Sequence, residues 1–222
     1  MGLSTVKKKI FVWGASGHAS FVLNILSYYS EIEVVGVLDD ISPQRVGEIF
    51  CGFKVLGGRE VLPALKEQGV DFCLFGFGNC SARVTLAEYL KNEGIGILTA
   101  IHPDSSIAAS ASIGEGTVIG PGVVVDAGCT IESNCILNNN CTVSHGSIIH
   151  SGTHICPGVT IGGDVTVGRS SWVGIGSTVI QKINIGPGAY VGAGSVVNKD
   201  IPAGMLAHGV PAKIIRAMVQ DF

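Results

Sequence analysis

The chain has 222 residues, 46% of them hydrophobic and 14% charged, with a formal net charge of -3. That length allows two modest domains with cores of their own, and the charge balance excludes the basic footprint of a nucleic-acid-binding protein. No apolar run reaches the roughly 18 residues that span a bilayer and no secretory pattern opens the chain, so it reads as cytoplasmic, without nucleic-acid or membrane partners.

Residues 9–13 (KIFVW) read as a buried strand, followed by Gly14-Ala15-Ser16-Gly17-His18 and a helical pattern through Ser30. Phe21, Val22, Ile25 and Leu26 form its inward face. A second strand at 33–38 ends in Asp39-Asp40, about twenty residues after the glycines. This layout imitates a dinucleotide-binding unit, but Gly14-x-x-Gly17 lacks the third glycine of that fingerprint, which argues against a dehydrogenase. The arrangement still builds an anion site. Backbone N–H groups around Gly14, Ser16, Gly17 and His18 open a helix N-terminus that favours phosphate, and Asp39 and Asp40 stand where ribose or base donors would arrive.

A loop then leads to Gly57-Gly58, a helix over 60–68 kinked or started late by Pro63, and a third strand at 71–77. Gly78-Asn79 opens another helix through Arg83 to about Asn92, and 95–100 gives a fourth strand. Alternating strands and helices joined by short glycine turns predict a small Rossmann-like α/β domain over 1–102, with ligands at the carboxyl ends of its strands. Gly14, Asp39 and Gly78 all lie at such ends, while His102, before a proline, reads as structural or exposed.

From residue 103 to 222 the character changes, with only nine charged residues between Asp104 and Met205. An aliphatic residue returns at every sixth position, Ile107, Ile113, Ile119, Val125, Ile131, Leu137, Val143, Ile149 and onward to Val197. Four residues after each comes a small or β-branched one: Ala111, Thr117, Val123, Cys129, Cys135, Cys141, Ser147, Thr153. This hexapeptide period predicts a parallel β-helix, stabilised rung upon rung. The shared repeat position of Cys129, Cys135 and Cys141 marks them as small core residues, and no C-x-x-C pair suggests disulfides or zinc. After Pro202, Ile214, Ile215 and Met218 predict a short amphipathic helix capping the last coil.

Reactive residues on such a wall must interrupt its outward positions, and His145, His150 and His154 do. The run Asn138-Asn139-Asn140-Cys141-Thr142-Val143-Ser144-His145 resembles the catalytic coil of the nucleotide-sugar N-acetyltransferases and sialic acid O-acetyltransferase-like proteins, hexapeptide-repeat acyltransferases. The likeness extends to Gly14-Ala15-Ser16-Gly17-His18, Leu38-Asp39-Asp40, Gly78-Asn79 with Arg83, and Ile101-His102-Pro103. It implies a left-handed β-helix with eighteen-residue coils, acetyl-CoA as co-substrate, and homotrimers with sites between subunits. By the same resemblance His145 is the general base, Asn138 precedes it by seven residues, and His154, nine residues on, helps hold acetyl-CoA. Backbone N–H groups of the glycine-rich wall, Gly163 and Gly174 among them, are expected to face the oxyanion. Lys199 and Lys213, with Arg216, are expected to meet the phosphates of acetyl-CoA.

In an eighteen-residue coil the residues beneath His145 are Ala127 and Ala109, so the three-histidine zinc site of the solenoid carbonic anhydrases lacks a ligand, and no metal is expected. An imidazole, titrating near neutrality, suits a base for acyl transfer. His145 departs from the family in having Ser144 and Gly146 as neighbours rather than a carboxylate. Water, a backbone carbonyl, Asn138, Ser144 or a carboxylate of another subunit remain as its orienting partners. The expected reaction is N-acetylation of a UDP-, dTDP- or GDP-linked 4-amino sugar. O-acetylation of a sialic acid or other sugar hydroxyl is the alternative, and a non-enzymatic nucleotide-binding solenoid a third reading.

Overall fold

Two units divide the chain in a computed structural model that describes residues 7–218. The first ends at Gly78 and resumes over Leu86–Ala100; the second comprises Asn79–Thr85 and the chain from Ile101 onward. Segment 79–85, placed by sequence with the front domain, therefore groups with the β-helix.

The first unit is built on β1 (Lys8–Trp13), α1 (Gly17–Leu26), β2 (Ile32–Leu38), β3 (Ile49–Phe50), β4 (Phe53–Gly57), α2 (Leu62–Glu67), β5 (Phe72–Phe75), the part of α3 (Cys80–Asn92) from Leu86 onward, and β6 (Gly96–Ile97). The sheet order is β3-β4-β2-β1-β5-β6, parallel except for the β3–β4 hairpin. β1 lies centrally because Ile10, Phe11, Val12 and Trp13 are buried, the continuous apolar run of a strand covered on both faces. The sequence departs from observation in its boundaries: α1 stops at Leu26, β5 is shorter than 71–77, and the loop before Gly57 contains the β3–β4 hairpin. Cys51 at φ 49 and Gly52 at φ 86 turn that hairpin, an unobvious turn pair because cysteine seldom takes a left-handed conformation.

In the second unit each hexapeptide contributes a two-residue strand, and three sheets result. The first sheet stacks Val118–Ile119, Ile136–Leu137, His154–Ile155, Trp172–Val173 and Tyr190–Val191. The second stacks Ser106–Ile107, Val124–Val125, Thr142–Val143, Thr160–Ile161, Thr178–Val179 and Val196–Val197. The third runs from Ser112–Ile113 to Asn184–Ile185. Partners such as Thr142 and Thr160 are eighteen residues apart, so three rungs close one coil.

The inward aliphatics from Ile119 to Val197 are all buried, each adding roughly 1.5–3 kcal/mol of transfer free energy that only stacking realises. The second inward position also satisfies the backbone. Ser147, Thr153, Ser171 and Ser177 hydroxyls donate to the carbonyls of Gly162, Gly168, Gly186 and Gly192. Cys129 and Cys135 thiols make the same contact with the carbonyls of Ser144 (3.2 Å) and His150 (3.3 Å). Burial pushes the Cys135 and Cys141 thiols up to about 12, which keeps them protonated and able to donate.

The expected C-terminal helix is replaced by a hairpin. Met205–Gly209 extends the first sheet beside Tyr190–Val191, and Ala212–Ala217 pairs antiparallel with it. Six residues are too few for a stable isolated helix, whereas the open sheet edge offers a row of unpaired backbone groups. Ile214 and Ile215 consequently remain exposed.

Candidate active site

Each coil turns three corners, and the histidines fall on different ones. Asn138 follows the first-sheet strand Ile136–Leu137, His145 follows the second-sheet strand Thr142–Val143, and His150 follows the third-sheet strand Ile148–Ile149. One face of about six residues, spanning roughly 20 Å of chain, separates successive corners.

At the second corner His145 is exposed and its ring lies on a glycine floor. A Cβ built on Gly163 would come within 2.5 Å of His145 Cε1, 2.7 Å of Nε2 and 3.1 Å of Nδ1. Any side chain at 163 would evict the imidazole, which explains glycine there without invoking backbone conformation. The His145 carbonyl accepts from Asp164 N–H at 2.9 Å, and Ser144 is held by Ile161 through its backbone and by Cys129 beneath its carbonyl. At eighteen-residue intervals the same corner position carries His145, Gly163, Gln181 and Lys199. Lys199 is exposed three coils from His145, roughly 14 Å at about 4.8 Å per strand.

The first corner is different in kind. His154 is buried, 4% exposed, with its Nε2 3.4 Å from Asn138 Nδ2. Asn138 Oδ1 accepts from Asn139 N–H at 2.9 Å, so the amide nitrogen is the atom facing the imidazole. Trp172 packs edge-on to His154 at 4.2 Å, and Tyr190 stacks on Trp172 at 6.0 Å. Gly174 belongs to this corner with Asn138, two coils on, not to that of Gly163.

Arg83 anchors the opening of α3 against this part of the β-helix. Its guanidinium is buried and donates to the carbonyls of Asn134 (3.1 Å), Gly152 (2.8 Å) and Thr153 (3.5 Å), the last immediately before His154. Burial lowers its pKa from the usual arginine value. Cys80 Sγ donates to the carbonyl of Ser171, and Asn79 Oδ1 caps α3 by accepting from Ala82 N–H at 3.0 Å. The sequence placed Arg83 beside a ligand loop; its reach into the β-helix is a tertiary fact that no spacing announces.

The third corner holds His150 Nδ1 2.9 Å from Glu132 Oε1, while Glu132 Oε2 accepts from the Ser151 N–H and hydroxyl. His102 is buried, and its Nδ1 accepts from Asp104 N–H. Among the described residues no group of three or more His, Cys, Asp or Glu could hold a metal ion, and no helix is long and apolar enough to cross a membrane.

In the first unit, the ends of β1 and β5 meet at Gly14 and Gly76. Gly14 takes φ 111, and a Cβ there would press on the Gly76 carbonyl; Ser16 Oγ donates to that same carbonyl at 3.0 Å. Gly17 and His18 start α1, leaving the first-turn N–H groups directed out of the strand end. Asp39 Oδ1 accepts from Ile41 and Ser42 N–H, and its Oδ2 lies 3.4 Å from Arg45, which also holds the Ala15 carbonyl at 2.7 Å. Asp40 is paired with Arg59 at 2.7 Å. Both carboxylates thus brace the loops beside the glycine turn. Lys213 lies exposed in the terminal strand Ala212–Ala217.

Comparisons with known proteins reach both units. The PglD N-terminal domain family matches residues 9–90. No curated protein matches the chain. Among solved structures, an alanine variant of GDP-perosamine N-acetyltransferase from Caulobacter crescentus, in complex with CoA and GDP-perosamine, is 32% identical with a TM-score of 0.89, over 94% of this chain and 97% of that one. The acetyltransferase domain of PglB from Neisseria gonorrhoeae is 32% identical with a TM-score of 0.85, covering 94% of this chain and 100% of that one. WeeI from Acinetobacter baumannii, at 24% identity and a TM-score of 0.82 over 94% and 100% of the two chains, shares the fold.

Proposed function

Because this chain belongs to the sugar N-acetyltransferases of the hexapeptide-repeat family, we propose that it moves the acetyl group of acetyl-CoA onto the amino group of a UDP-, dTDP- or GDP-linked amino-deoxy sugar. The observation that carries the assignment of the base is the exposed His145 ring seated on Gly163. His145 takes a proton from the amine as nitrogen attacks the thioester carbonyl. The C–S bond then breaks, and the proton passes to the departing thiolate. The amine needs less help from a base than a hydroxyl does, and His145 has no carboxylate beside it in sequence, so nitrogen is favoured over the sugar-hydroxyl alternative.

Acetyl-CoA supplies the thioester; the chain's residues hold it and shield its charge. The corner shared by His145, Gly163 and Lys199 suits an elongated molecule with its thioester at one end and phosphates at the other. Gly163 N–H is the nearest candidate donor for the oxyanion. Lys213 is the second phosphate candidate. Gly14, Ser16, Gly17 and His18 receive the diphosphate of the acceptor, with Asp39, Asp40, Gly78 and Asn79 shaping its nucleoside and sugar ends.

Asn138, His154 and Gly174 lie on a different corner from His145, which fits a homotrimer in which one subunit's first corner meets its neighbour's second. The reaction belongs in the cytoplasm, where acetyl-CoA and nucleotide sugars are at hand. Purified protein should release free thiol from acetyl-CoA in the presence of a nucleotide-linked amino sugar, and His145→Ala should lower kcat by about 10²–10⁴-fold. Unchanged turnover in that variant would remove His145 from the reaction. Mixing His145→Ala with Asn138→Ala should restore part of the activity if the two corners meet across subunits; additive inactivity argues for sites within one chain.

A further inference from the structure

Residues 79–85, the opening of α3, share a compact unit with the β-helix. Arg83 within this segment is only 1% exposed, and its guanidinium donates to the carbonyls of Asn134, Gly152 and Thr153. A buried guanidinium is costly to desolvate, and an apolar residue would fill the same seat at less cost. What arginine adds is direction, since its donors are fixed in a planar fork. Cys80 adds a bond from its thiol to the Ser171 carbonyl. Gly152 completes the seat: a Cβ built there would collide with Val84 Cγ2 and come within 3.0 Å of the Cys80 carbonyl. The helix thus rests on bare backbone of the coil, where any side chain would lift it.

Of the two partners, the coil is the one that stays put. Gly152 N–H donates to the Ser133 carbonyl and His154 N–H to the Ser171 carbonyl, both at 2.9 Å, and the Thr153 hydroxyl to the Gly168 carbonyl at 3.0 Å. Neighbouring coils hold these atoms from both sides. A change at the seat therefore moves the helix, and the helix carries Asn79 with it. Asn79 Oδ1 accepts from Ala82 N–H at 3.0 Å and from the Ser81 hydroxyl at 3.1 Å, and its carbonyl accepts from Arg83 N–H at 3.2 Å. With Oδ1 engaged by the helix, the Nδ2 donors are what Asn79 offers to the oxygen atoms of a ligand.

We propose that Arg83 is a positioning residue for the acceptor: seated on Gly152 with Cys80 and Val84, it sets where Asn79 presents its Nδ2 to the nucleotide-linked sugar. The inference rests on the reading that Asn79 contacts the acceptor. That contact is made in the bound ground state as well as in the transition state, so disturbing the seat raises KM for the acceptor and leaves kcat in place.

The full-length protein is assayed by thiol release from acetyl-CoA with UDP-, dTDP- and GDP-linked 4-amino-6-deoxy sugars. Gly152→Ala and Arg83→Met should each raise the acceptor KM about tenfold, the worth of one hydrogen bond. KM for acetyl-CoA and kcat should stay within about twofold. Loss of folded protein alone would instead lower the apparent kcat at constant KM. Adding Val84→Ala to Gly152→Ala removes the methyl group that the new Cβ meets, and should bring the acceptor KM back to within about threefold of the parent. A parental acceptor KM in both Gly152→Ala and Arg83→Met, with that of Asn79→Ala raised, overturns the positioning role alone. So does a double variant that melts like Gly152→Ala and keeps its raised KM. A parental acceptor KM in Asn79→Ala takes Asn79 out of the acceptor's site and the proposal with it. No thiol release by the parent with any of the three sugars overturns the reading of the reaction itself.

Discussion

Two corners of neighbouring coils, built from the same six-residue repeat, treat their histidines in opposite ways. At the first, His154 is buried beneath Trp172 and tied to Asn138, with Arg83 fastening the strand that leads into it. At the second, His145 is exposed on a bare glycine floor. The repeat dictates where a residue stands, while the residues one coil away decide whether it is wall or tool. A β-helix separates these roles cheaply, because eighteen residues of offset bring any corner residue against one that sequence proximity would never suggest.

The sharpest way to break that contrast is to fill the floor. Gly163→Ala puts a methyl group within 2.5–3.1 Å of three ring atoms of His145. The ring must swing away, and misplacement of this size costs about 10²-fold in kcat, or roughly 2.7 kcal/mol of barrier. Thermal stability should hardly change, because the displaced ring moves into solvent. Steady-state kinetics beside a melting curve checks both halves, and an intact kcat would show that the ring's seat does not matter.

The first corner answers to the opposite treatment. Arg83→Met removes the donors to the carbonyls of Asn134, Gly152 and Thr153, three groups buried with it. Unsatisfied carbonyls of this kind cost about 2–3 kcal/mol in all, even though a buried guanidinium is itself expensive to desolvate. Denaturant unfolding should record that loss, with kcat falling less than in Gly163→Ala. A variant as stable as the parent would mean that the methionine packs well enough to offset the lost bonds.

What could be read from sequence follows the same line. The aliphatic register from Ile107 to Val197 appears as stacked strands because a period of six is imposed by burial, and burial is a local property of composition. His145, His150 and His154 were locatable as interruptions of that register, whereas Asn138 came from the family resemblance, Ser144 from its place beside His145, and Gly163 and Gly174 from the glycine-rich wall. Their grouping was not locatable: Gly163 joins His145 and Gly174 joins Asn138 only once the eighteen-residue offset is counted around the corners. Arg83 was out of reach altogether, since its partners lie 51 to 70 residues away in the chain. The C-terminal hairpin eluded periodicity because Ile214, Ile215 and Met218 also fit a helix, and the free edge of the first sheet decided between the two.

The third corner supplies the mildest test, and one whose sign can be fixed in advance. Burial alone would raise the Glu132 pKa, but bonds from the Ser151 N–H and hydroxyl, and from His150, prevail and hold it below the usual value of 4.5. A carboxylate depressed on folding adds stability that is present above its unfolded pKa and is lost as pH falls through its folded one. Glu132 and His150 side chains are 39% and 37% exposed, so solvent screens the pair, and the contribution should be a few tenths of a kcal/mol. Glu132→Gln should therefore melt slightly below the parent at pH 5, with the gap closing by about pH 3. Melting curves at the two pH values decide it: a gap that widens on acidification would mean that Glu132 is held against its preference for the charged form, and that this corner, like the first, is wall.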